Sequence, residues 1–97
     1  MHTLITRGRG EAFRTDNLEP ISPVSYQLHE ESASAVVRWW GELTFNDSVD
    51  VADNAQCLIQ VEDGRRGRCR VRKLINRVVS GTPTRFVYHF TGITPLT

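Results

Sequence analysis

Apolar side chains in this chain recur at every second residue, and in no helix-length window at every third or fourth. A β-strand sends successive side chains to opposite faces, whereas a helix aligns positions three and four apart. The chain therefore reads as all-β. Val24, Tyr26 and Leu28 alternate with Ser25, Gln27 and His29. Val37, Trp39, Gly41, Leu43 and Phe45 alternate with Val36, Arg38, Trp40, Glu42 and Thr44, and the first set is the better core face. Cys57, Ile59 and Val61 form a third inward set, and Phe86, Tyr88 and Phe90 a fourth, with Arg85, Val87 and His89 outward.

Between these runs lie turn signals. A short strand over Thr3–Arg7 is expected to break at Gly8-Arg9-Gly10 and resume over Glu11–Arg14 after a bulge. Pro20 and Pro23 mark an extended entry, and Glu30-Glu31-Ser32 reads as a turn into a strand over Ser34–Phe45. Asn46–Asn54 is an irregular connection or one capped helical turn. Arg65–Ser80 is β-rich, with a change of phase near Lys73-Leu74, and Ser80–Thr84 is a turn. The tail Gly92–Thr97 is expected to fray. Hairpin-connected strands with one apolar face each suggest a small antiparallel barrel or a strongly curved sandwich of six to seven strands. The aromatics would fill so small an interior, which argues against a ligand cavity.

At 97 residues the chain is one domain, 1–97. Its 39% apolar and 24% charged residues are those of a folded protein. No apolar run approaches a membrane span, and the opening residues lack the apolar core of a signal peptide. The expected compartment is the cytoplasm, with no membrane partner.

The net charge of +1 conceals a segregation. Residues 1–63 carry four arginines and all eleven acids, a net of −7; residues 64–97 carry seven arginines, Lys73 and no acid, a net of +8. Such asymmetry points to an anionic partner, or to pairing of the two halves within one fold.

The basic half begins at a hairpin. Val61-Glu62-Asp63-Gly64-Arg65 fits a three-residue loop whose last residue is left-handed, a conformation glycine adopts without steric cost. That register sets Val61 opposite Arg65, Ile59 opposite Gly67 and Cys57 opposite Cys69. Arg66, Arg68, Arg70 and Arg72 then share the outer face, about 6.6 Å apart, as a comb of guanidinium groups. The planar fork of arginine suits phosphate and carboxylate oxygens. Two readings need no partner: pairing with acids such as Glu11 or Glu42, or a charged sheet edge that blocks aggregation. Of Trp39 and Trp40, adjacent on one strand, one must face outward unless the sheet is covered on both faces. Trp40 is that residue, beside Arg38, where it could stack on a base or anchor a protein contact.

Catalytic signals are missing from the sequence. No nucleophile elbow is found, and Asp47, Asp50 and Asp53 lack the glycine of a calcium loop. Two cysteines twelve positions apart make no zinc site, and they read as buried free thiols. His29 and His89 both point outward and could meet only if their strands were neighbours. The sequence thus reads as a non-enzymatic binding module without cofactor or metal. Its expected contact residues are Arg66, Arg68, Arg70, Arg72, Arg38 and Trp40. The near-neutral total favours an acidic protein surface or self-association, with nucleic acid as the alternative, since nucleic-acid modules are usually basic overall. The alternative from another class is an enzyme or small-anion sensor with an Arg-lined mouth.

Overall fold

The computed structural model describes residues 2–33, 36–74 and 87–97. They form six strands: β1 (His2–Phe13), β2 (Pro20–Ala33), β3 (Val36–Phe45), β4 (Gln56–Gln60), β5 (Arg66–Leu74) and β6 (Val87–Gly92). All pairings are antiparallel, and the order β1-β2-β3-β6-β5-β4 closes back on β1 as a barrel. The barrel, not the sandwich, is the outcome of the alternation.

The inward residues are those the alternation selects. Val24, Tyr26 and Leu28 from β2, Trp39, Leu43 and Phe45 from β3, Cys57 and Ile59 from β4, Cys69 and Val71 from β5, and Tyr88 and Phe90 from β6 fill one core. Phe45 and Tyr88 meet edge to face at 5.0 Å. Trp39 closes one end of the barrel. Its indole lies over Gly67 and Gly92, where a Cβ would approach it to 2.6 and 2.3 Å, and its Nε1 donates to the Thr94 carbonyl at 2.8 Å. At the other end the connection 46–55 lies against the core through Val49, Val51 and Ala55. The Tyr88 hydroxyl donates to the Val51 carbonyl (2.9 Å) and accepts from its N–H (3.2 Å). This connection is irregular, without the alternative helical turn.

Four expectations are corrected. β1 does not break at Gly8–Gly10: β2 pairs with each residue from His2 to Ala12, and the register shifts only between Ala12 and Phe13. β2 does not turn at Glu30–Ser32 but continues to Ala33, because β1 and β3 pair with it on its two sides there; Arg65 binds the Glu30 carboxylate. The tail does not fray. As β6 ends, the tail takes its place beside β5: Ile93 N–H donates to the Arg68 carbonyl (2.8 Å), and Thr97 and Arg66 exchange two bonds of 3.0 Å. The β5–β6 ladder is regular through Leu74, without the expected phase change up to that point. The expected Ser80–Thr84 turn, and the expected orientations of Arg85 and Phe86, lie outside the described residues.

β1 and β2 outrun the barrel. Among the described residues β1 meets β4 only at Glu11–Phe13, and β3 meets β6 only at Trp40–Thr44. The rest of β1, β2 and β3 forms a three-stranded arm beyond the closed portion.

Candidate functional site: the outer arginine face

The loop of the arginine hairpin is built as its sequence dictates. Gly64 has φ +97°, Val61 N–H donates to the Arg65 carbonyl at 2.9 Å, and Cys57 stands opposite Cys69, Leu58 opposite Arg68 and Gln60 opposite Arg66. Gly67, Cys69 and Val71 are buried, which sends Arg66, Arg68, Arg70 and Arg72 outward, all four exposed.

Acids hold the two ends of this basic strand. At the loop end Arg65 makes two bonds to the Glu30 carboxylate, one of 3.1 Å, and its Nε donates to Asp63 at 2.8 Å. The Arg65 backbone N–H, and then its guanidinium, hold the Asp63 carboxyl below the usual range. The two carboxylates push Arg65 higher still, Glu30 foremost. At the far end Lys73 Nζ lies 2.6 Å from Asp50, and the Lys73 N–H donates to Asp53 at 2.8 Å. The segregated halves of the chain thus do meet, at Arg65 and Lys73.

The four arginines between have no such partners. Among the described residues no carboxylate forms an ion pair with Arg66, Arg68, Arg70 or Arg72. Glu11 lies across from Gln60 and Glu42 across from His89, each one strand removed from β5, and neither forms an ion pair with the comb among the described residues. Nor is β5 a charged edge, since β4 and β6 flank it on both sides. Arg66 is held in place by a 2.9 Å bond to Gln60 and by the Phe13 ring, 5.4 Å below its guanidinium. Arg68, Arg70 and Arg72 are left open to solvent.

Cross-strand registers carry this face toward the arm. Arg70 stands opposite Thr91, Thr91 opposite Trp40, and Trp40 opposite His29. Trp40 points outward, half-buried, and stacks on His29 with centroids 5.4 Å apart and planes 13° apart. Where β6 leaves β3, a cleft of about 660 Å³ opens, lined by Arg38, Trp39, Trp40, His89, Thr91 and Thr94 among others. Of the six residues expected from sequence, five thus lie on one side: Arg68, Arg70 and Arg72 on β5, and Arg38 and Trp40 on β3. Arg66 sits apart, toward β1. Sequence reasoning missed His29 as the partner of Trp40 and missed the Arg65–Glu30 clamp. Both depend on strand register, which no local pattern encodes. β3 separates the strands of His29 and His89, so the two histidines do not meet.

Cys57 and Cys69 are buried free thiols with Sγ atoms 3.8 Å apart, well beyond a disulfide bond. The Cys57 thiol and burial push the Cys69 thiol above the ordinary range, which disfavours a reactive thiolate. Among the described residues no group of three or more His, Cys, Asp or Glu side chains is placed to hold a metal ion. Comparison with known protein families, curated proteins and solved structures gives no match, in sequence or in fold.

Proposed function

We propose that this chain is a non-catalytic binding module whose outer arginine face holds an anionic partner. One observation carries the reading: Arg68, Arg70 and Arg72 stand in register on a central strand, exposed and without a carboxylate partner among the described residues. Maintaining like charges in a row costs energy that an internal salt bridge would have relieved, and a partner's anions relieve it on binding. The comb lies on the outer wall of the barrel, not at a mouth, which favours an extended partner over a small anion. The near-neutral net charge of +1 favours an acidic protein surface.

A second reading, single-stranded nucleic acid, is favoured by the Trp40–His29 stack in the same cross-strand row as Arg70. Bases stack on aromatic side chains while arginines follow the phosphates.

Fluorescence anisotropy separates the two. A labelled Asp/Glu-rich peptide and labelled single- and double-stranded oligonucleotides are titrated at low and at physiological salt. Binding to at least one probe, weakened by salt and lost in Arg68→Glu/Arg70→Glu/Arg72→Glu, is the expected result. If the partner is single-stranded nucleic acid, Trp40→Ala costs about 1–3 kcal/mol there. No binding to any probe at low salt overturns the proposal.

A further inference from the structure

Along the arm, β1 is paired on one side only among the described residues. β2 takes up its inner edge from His2 to Ala12, whereas β4 meets its other edge only at Glu11–Phe13. Among the described residues no backbone hydrogen bond reaches Thr3–Arg9 from outside the β1–β2 ladder. The β4–β5 loop does not seal this edge. Between them lies an open cleft of about 360 Å³, lined by Leu4, Thr6, Arg7, Glu62, Asp63 and Arg65 among others. A free edge of this length exposes a row of unpaired N–H and C=O groups, a template for another strand. It also carries Leu4 and Ile5, 58% and 54% exposed on opposite faces of the same strand.

We propose that this edge pairs with the same edge of a second copy, antiparallel and centred on Ile5, joining two barrels through one continuous sheet. A two-fold axis makes such a contact self-complementary. The sequence of the edge fits it. With Ile5 opposite Ile5 of the second copy, Leu4 falls opposite Thr6, and Thr3 opposite Arg7; no like charges face each other. Glu31 stands next to Thr3 across β2. Arg7 of the second copy therefore comes within two strand spacings of Glu31, about 9.6 Å along the backbone, a gap the two side chains span. Neither Glu31 nor Arg7 has an ion pair among the described residues of one copy. Registers that centre the axis on Arg7 would set two arginines directly opposite, which is destabilising.

The pairing also extends the outer face. Ile5 lies opposite His29, which stacks on Trp40. The row Arg70–Thr91–Trp40–His29–Ile5 would continue through its two-fold copy, giving one binding surface with an arginine comb at each end.

Sedimentation velocity over a micromolar-to-millimolar series tests this. The wild-type chain is expected to reach twice the monomer mass. Ile5→Lys and Ile5→Glu are each expected to stay monomeric, since like charges then oppose across the axis. An equal mixture of the two is expected to recover the dimer, because lysine then faces glutamate. Ile5 is exposed in the monomer, and an unchanged far-ultraviolet circular dichroism spectrum confirms that both variants fold. A wild-type monomer throughout, a dimer that survives either substitution, or a mixture that stays monomeric overturns the proposal.

Discussion

Individual side chains in this barrel are placed by two rules, of which only one is visible in the sequence. Alternation settles which residues face inward, and it settled Trp39 against Trp40 correctly: Trp39 is 3% exposed and Trp40 half-buried on the outside. What each side chain touches depends on register between strands. Trp39 illustrates the difference. Its indole needs the two backbone sites, Gly67 and Gly92, that lack a Cβ. Neither glycine announces this role: Gly67 sits in an arginine run, and Gly92 at the head of the tail. Gly92→Ala is expected to drive a methyl group into the indole and to lower stability by about 1–3 kcal/mol, as overpacking does. Urea denaturation monitored by tryptophan fluorescence measures it. An unchanged midpoint would show that Trp39 does not rest there.

Among the strands and hairpins, the β4–β5 turn was fully legible, because Glu62-Asp63-Gly64 names both the turn and its register. The long pairing of β1 with β2 was not. Glycine and glutamate clusters look like breaks when read locally, yet a neighbouring strand satisfies the backbone and Arg65 satisfies Glu30. The hairpin loop carries a pH signature of its own. Because the Asp63 carboxyl is held below its usual range in the folded chain, its stabilising contribution is complete above the unfolded value of about 3.9. It is lost as pH falls through the lower folded value. Stability of the wild type and of Asp63→Asn, measured from neutral pH down to acid, should differ above about pH 4 and converge below it. A constant gap would mean that the Asp63 charge plays no part in holding the loop.

For the molecule as a whole, alternation predicted β-strands and charge segregation predicted a basic region, but neither reveals strand order. Glu30, Asp63 and Asp50 pair with Arg65 and Lys73, at either end of β5, and not with the comb between them. That outcome depends on which strands are neighbours across the barrel. The order β1-β2-β3-β6-β5-β4 has one more consequence. Neighbours within β1–β3 and within β4–β6 are consecutive in sequence, so each half is a meander that can assemble from local contacts. The halves join along only two seams, β3 with β6 over five residue pairs and β1 with β4 over three. Both seams close large loops, whose entropy must be lost before the seam contacts repay it. Folding is therefore expected to be slow for the chain's size, on the order of milliseconds to seconds, with the β1–β4 seam forming last. Stopped-flow refolding measures that rate. In the native state the amides of Glu11 and Gln60, which face each other across the three-pair seam, should exchange with solvent before those of the β3–β6 seam. The barrel is thus a clasp of two sheets, fastened firmly on one side and lightly on the other.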